Sequence, residues 1–292
     1  MNLNTVWSLL KETFSEWQQD KVPILAAALS YYMIFSIAPI LILVIAVVGF
    51  VVGEQLAQEE VFAQLEEFFG PENATSLRTI LQNQFSPSSS ITATLIAIAT
   101  IIFGATTVFA QLKQALNIIW NVEPKPGQGV KGFIQTRILS IFMVLGIGFV
   151  LLLSLIISSV LSGTSEILEK YLFIPGFVWS IVDLAISLSL TTLLFGQIYR
   201  VLPDVKIGWK DVTVGAFITA VLFTIGKSLI SIYLGQSSVG SAYGAAGSFV
   251  VLLMWIFYST QIFLFGAELT QVWSRRFGSQ IRPSENATLT RD

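Results

Sequence analysis

The sequence predicts an all-α, polytopic membrane protein: a six-transmembrane-helix bundle with an N-terminal amphipathic helix and an extracytoplasmic helical loop. Three observations predict it. Of 292 residues, 54% are hydrophobic and only 12% charged, against roughly a quarter charged in a soluble domain. Six apolar stretches each approach or exceed the ~20 residues needed to cross a bilayer. Basic residues crowd into the connections that would share one side of it.

The residues that are missing exclude whole classes of chemistry. Histidine and cysteine are both absent, so disulfides, thiol nucleophiles, Cys/His zinc sites and Ser-His-Asp triads cannot be built. No paired carboxylates and no nucleophile beside a base are discernible, and no basic nucleic-acid-binding domain is visible. A non-enzymatic protein without cofactor, metal or nucleic-acid partner is expected. The net charge of −2 says little about partners.

Residues 1–21 carry Lys11, Glu12, Glu16, Asp20 and Lys21, too many charges for a cleaved signal peptide. Val6, Leu10, Phe14 and Trp17 recur at helical spacing. This predicts an amphipathic helix at the membrane interface, with Trp7 and Trp17 at headgroup level. Packing against the protein's own loops is the alternative.

The membrane domain follows over 22–275. From Val22 to Gly53 there is no charge, and one straight helix over this stretch would run ~48 Å against a hydrocarbon core of ~30 Å. Pro39 lacks the N–H that an unbroken helix uses, so a kink or break near Ser36 to Pro39 is expected. Gly49 and Gly53 form a GxxxG, suited to close helix contact within or between chains.

Residues 54–90 hold six glutamates and then Ser86-Pro-Ser-Ser-Ser90, an aqueous loop in which Val61, Leu65 and Phe68/Phe69 keep helical spacing. One or two amphipathic helices resting on the outer end of the bundle are expected. Five further spans are read at about 91–112, 138–162, 174–199, 212–234 and 248–267. With a cytoplasmic N-terminus, 13 of the 16 basic residues lie inside, leaving Arg78 and Lys170 outside and Lys227 within a span. Both termini are therefore expected in the cytoplasm, with a cytoplasmic tail over 276–292.

Charges within a bilayer cost at least ~2.5 kcal/mol on insertion scales, so they turn inward and find partners. Asp183 and Lys227 stand at similar depths on consecutive spans, which permits an ion pair. Ser187 and Thr191 continue the Asp183 stripe, while Ala216, Ala220, Thr224 and Ser228 form a small-residue stripe on the next helix. Two readings stand: tight packing with the pair fixing register, or a polar path in which Lys227 attracts an anionic group. On the last span Tyr258, Gln261 and Glu268 share one face. Gln261 needs a partner inside the protein, and Glu268 sits level with Arg200, as an inner-end pair or as separate solvated charges.

Several segments together resemble the YihY/BrkB family of bacterial inner-membrane proteins: Ala26-Ala-Ala-Leu-Ser-Tyr-Tyr32 through Pro39, Leu112-Lys-Gln-Ala-Leu-Asn-Ile-Ile-Trp120, Tyr199-Arg-Val-Leu-Pro203, Trp209, Gly215-Ala216, the Gly226-Lys227 region, Tyr243-Gly244-Ala245 and Gly266-Ala-Glu-Leu269. The resemblance covers about residues 22–275. It implies an all-helical inner-membrane protein and fixes no reaction. A ribonuclease label carried by relatives conflicts with a chain that has no histidine for a zinc phosphodiesterase site.

Transport of a lipid, a lipid-linked precursor or a small anionic solute is the functional expectation, with a polar path through Asp183, Lys227, Gln261, Ser187, Thr191 and Tyr258 and a hinge at Pro39. A non-catalytic envelope scaffold, contacting an envelope protein partner through 54–90 and the tail, is the alternative. Membrane lipids are expected as partners in either case. The oligomeric state is not legible.

Overall fold

The computed structural model describes residues 3–69, 74–75, 78, 91–126, 129–172, 176–236, 247–278 and 281–290. Eight helices are described: α1 (Leu3–Gln19), α2 (Val22–Val52), α3 (Glu54–Phe69), α4 (Ile91–Ile119), α5 (Gly129–Leu172), α6 (Gly176–Val201), α7 (Trp209–Gln236) and α8 (Gly247–Phe277). Five contain a stretch long and apolar enough to cross a membrane: α2, Ile134–Ser154 of α5, Leu184–Val201 of α6, Trp209–Ile230 of α7 and Phe249–Phe277 of α8. Helix α4 occupies the stretch expected as a further span, and the side chains of its first turns lie outside the described residues.

Helix α2 is continuous, so of the expected kink or break at Pro39 the break does not occur. A proline forfeits one backbone bond, whereas ending the helix in hydrocarbon would strand several. Helix α4 comes close at this point, because a Cβ on Gly104 would lie 2.9 Å from the Pro39 ring. At its far end, α2 turns into α3 through the GxxxG pair. Gly53 adopts φ +91° and caps Gly49, and a Cβ on Gly49 would lie 3.3 Å from Glu54 Cα. The motif thus makes a corner within the chain. Helix α3 rests on α2 and buries Ala57, Val61 and Leu65. The rest of the 54–90 segment, apart from residues 74, 75 and 78, lies outside the described residues.

Helices α6, α7 and α8 pack as a sequential antiparallel set, and α2 joins α8 to α4 and α5. The centre of the set is aromatic: Trp255, Phe223, Phe195, Phe263 and Tyr199 follow one another at centroid spacings of 4.9 to 5.9 Å. Tyr199 is wholly buried, and its hydroxyl donates to the Phe263 carbonyl at 2.6 Å. This satisfies the one polar atom the ring carries inward.

Both ends of the chain meet at one end of the bundle. Of the expected stripe on α1, Val6, Leu10 and Phe14 face outward, with Phe14 51% exposed, while Trp17 is half-buried against the core; Trp7 is 72% exposed. The opposite face packs on α8, where Leu9 joins Leu269 and Val272 and Thr13 is fully buried. Arg275 pairs with Glu12 and Glu16, and Arg276 with Glu12.

After α8 the tail folds back as two short strands, which refines the all-α expectation. Strand β1 (Val122–Pro124), in the α4–α5 connection, pairs antiparallel with β4 (Ala287–Leu289). Strand β2 (Val205–Lys206), in the α6–α7 connection, pairs with β3 (Arg282–Pro283). The tail is a clasp across two loops far apart in sequence.

Candidate functional site

Helix α4 runs about two turns past the expected span, and this extension places Lys113 and Asn117 on one face at four-residue spacing. Opposite it stands Asp204, just after α6. Lys113 Nζ lies 2.8 Å from Asp204 Oδ1, with the two side chains only 15% and 20% exposed. Asn117 donates from Nδ2 to Asp204 Oδ2 at 3.0 Å, and its Oδ1 accepts the Asp204 backbone N–H at 2.8 Å. The Asp204 carbonyl in turn accepts the Ser284 N–H of the tail at 2.9 Å. Charge-assisted bonds to both carboxylate oxygens fix the carboxylate firmly.

The network forms part of the wall of a vestibule of about 910 Å³ between α4, the start of α5, the end of α1 and the clasp. Its lining is rich in carboxamides, including Gln111, Gln114, Gln135 and Asn286, with Thr136 and Thr290 among them. Asn121 takes φ 53°, a left-handed conformation that asparagine tolerates, and so ends α4 and hands its carbonyl to the Thr290 N–H at 2.9 Å. On α5, one residue from the vestibule wall, Arg137 crosses to α4. It bonds Thr106 Oγ1 and the Phe103 carbonyl and lies 4.5 Å from the Phe103 ring centroid.

The residues anticipated from sequence lie elsewhere. Tyr258 and Gln261 of α8 meet Gly226 of α7 in an outward-facing groove, and Lys227, next to Gly226 in sequence, is half-buried. Ser187 and Thr191 are half-buried on α6. The side chain of Asp183, and with it the expected Asp183–Lys227 pair, lies outside the described residues. Arg200 lies over the Trp209 ring at 4.3 Å, and Glu268 is 1% exposed, so Glu268 is not the solvated helix-end charge of one reading. Sequence reasoning passed over Lys113, Asn117 and Asp204 as sites. The available signal was an i, i+4 polar pair continuing an apolar helix beyond membrane length, inside a segment already quoted for its resemblance.

The family model described as "Virulence factor BrkB" matches residues 13–290. The chain belongs to the BrkB family. Among similar proteins, a UPF0761 membrane protein of Pseudomonas paraeruginosa is 27% identical over 88% of this BrkB-family chain and 62% of its own length. The ribonuclease-like protein YfkH of Bacillus subtilis is 23% identical over 92% of the chain and 96% of its own length. The chain spans about three fifths of the Pseudomonas relatives it matches. No solved structure matches. Leu112–Trp120 and Tyr199–Pro203, separated by some eighty residues, place Lys113 and Asn117 against Asp204, the residue that follows the second segment.

Proposed function

We propose that this BrkB-family protein is a transporter or translocator of a small anionic solute, a lipid or a lipid-linked precursor, and that the vestibule is its entry. The vestibule carries the reading: an open concavity of about 910 Å³ in whose wall carboxamides and charged groups stand among apolar surface. Carboxamides on several walls offer both donors and acceptors to a hydrated group. The lining carries charges of both signs: Lys113, which pairs with Asp204, and Lys125, together with Asp20 and Glu123. The onward polar path is the expected one, through Asp183, Ser187, Thr191, Lys227, Tyr258 and Gln261, with Pro39 as hinge. An inner-membrane location, cytoplasmic termini and the absence of an enzymatic step belong to the same proposal.

The test is leaflet exchange in phosphatidylcholine vesicles carrying a trace of headgroup-labelled fluorescent phosphatidylglycerol. The wild-type chain should accelerate exchange, and Gln135→Trp, which narrows the vestibule, and Lys227→Met should each slow it. Exchange at the rate of protein-free vesicles, or untouched by both variants, overturns the lipid form of the reading.

The scaffold reading has its own support in α3, which spends its apolar row on α2 and leaves Glu54, Glu59 and Glu66 exposed. Replacing the exposed Glu54, Glu59 and Glu66 together by Gln, which leaves the row packed on α2 intact, should then release a cross-linked envelope partner while the bundle stays folded.

A further inference from the structure

Three glutamines carry hydrogen-bonding capacity that the vestibule wall leaves unused. Gln111 and Gln114 stand three residues apart on α4, on neighbouring turns of one face, and Gln135 stands on α5. None of the three side chains is hydrogen-bonded to another described residue, and Gln114 and Gln135 are exposed. Their neighbours on the wall are engaged. Lys113 and Asn117 hold the Asp204 carboxylate, Lys125 Nζ donates to the Glu285 carbonyl at 2.8 Å, and the Thr136 hydroxyl donates to the Gly132 carbonyl at 2.9 Å. What the wall still offers a visitor is therefore mainly carboxamide.

The charges point the same way. Two lysines line the vestibule, Lys113 and Lys125, against three carboxylates, Asp20, Glu123 and Asp204. A concavity whose lining holds acidic groups in excess does not concentrate anions. Its place in the membrane adds a second constraint. Gln135 lies at the start of the apolar stretch Ile134–Ser154, and Ile134, Ile138 and Phe142, at helical spacing on α5, are exposed. The vestibule thus sits where α5 enters hydrocarbon, at the level of a lipid headgroup. Its volume of about 910 Å³ falls in the range of about 300–1,000 Å³ typical of small-molecule sites.

We propose that the vestibule binds an uncharged, hydroxyl-rich group, a sugar or polyol, through the carboxamides of Gln111, Gln114 and Gln135. The inference rests on the vestibule being the entry of the transport reading, and it narrows the substrate. Each carboxamide sets an N–H donor beside a carbonyl acceptor, which matches neighbouring hydroxyls that both donate and accept. A phosphate or carboxylate accepts only, so it leaves the glutamine carbonyls unanswered and meets the acidic excess. The same chemistry belongs to a free sugar and to the sugar headgroup of a lipid.

The experiment uses the full chain in phosphatidylcholine nanodiscs, which bring no sugar of their own, with a fluorophore on Thr290→Cys at the vestibule wall. The probes are free galactose in solution and graded fractions of monogalactosyl diacylglycerol or phosphatidic acid in the disc. Expected is binding of the galactolipid about tenfold tighter than that of phosphatidic acid, the effect of one or two hydrogen bonds. Galactose competing at millimolar concentration or below would assign a soluble source, and galactolipid binding that galactose leaves untouched a lipid one. Gln114→Leu with Gln135→Leu, both at exposed positions, should keep the melting temperature and erase the preference, and Gln135→Lys should turn it toward phosphatidic acid. No response to either sugar form, phosphatidic acid bound as tightly as the galactolipid, or a preference that survives the double variant would each overturn the proposal. Leaflet exchange of acyl-labelled galactolipid and phosphatidic acid separates the two readings. Exchange at the protein-free rate with the binding preference intact removes transport alone, whereas acceleration blind to the headgroup, with no binding preference, removes this proposal alone.

Discussion

Thr270 of α8 occupies the space where Gly215 of α7 lacks a side chain, and the relationship is returned one turn along, where Thr219 of α7 fills the space above Gly266 of α8. Each threonine hydroxyl donates back to its own helix, Thr219 to the Gly215 carbonyl and Thr270 to the Gly266 carbonyl, both at 2.7 Å. Two Gly-Ala-x-x-Thr segments thereby interlock antiparallel with no unsatisfied hydroxyl, which lets the backbones approach closely in a medium that gives helices no hydrophobic reason to associate.

Enlarging one glycine should therefore separate the helices. Gly215→Val is expected to destabilise the chain by about 1–3 kcal/mol through overpacking, read as a lower melting temperature in detergent. Adding Thr270→Ala should recover part of the loss, because the two positions share one space. Strictly additive losses would show that they do not.

Asn117 satisfies both the backbone N–H and a carboxylate oxygen of Asp204. Asn117→Ala leaves them without these partners and is expected to cost about 1–3 kcal/mol in chemical denaturation. Asn117→Asp should cost more, since it sets a second carboxylate against the first. Either variant matching the wild type would remove the network from the account of stability.

The clasp predicts what truncation does. Ending the chain at Gly278 removes β3 and β4, so the Lys125 N–H loses its bond to the Asn286 carbonyl. Amide exchange should accelerate around 122–125 and 205–206 while the membrane helices keep their protection. Unchanged exchange in the two loops would mean that they hold their shape alone.

A chain without cysteine accepts single reporters cleanly. Cysteines placed at Trp7, Leu10 and Phe14 should sense hydrocarbon or headgroup, and those at Leu9 and Thr13 should resist labelling, because α1 turns the first set outward and buries the second. Equal labelling around the helix would detach α1 from α8. Sidedness of the same reporters in sealed vesicles tests the cytoplasmic placement of the termini.

Part of this was legible in the chain itself. The membrane class, the positions of the long helices and the amphipathic character of α1 follow from transfer free energies, which depend on each residue and its near neighbours. Hydropathy is a local quantity, so reading it along the chain is enough. The continuity of α2 through Pro39 was not legible, because it depends on hydrocarbon penalising every further broken backbone bond.

Which face of α1 turns outward was not legible either, and it follows from the docking of Leu9 and Thr13 on α8. Lys113, Asn117 and Asp204 are ordinary polar residues in sequence, and 87 positions separate Asn117 from Asp204. They become a vestibule wall only when the end of α4, the end of α6 and the returning tail are brought to one place. Burial can be inferred from composition, but the pairing of polar groups is decided by distances of a few ångströms between distant segments, and only the packed bundle sets those distances.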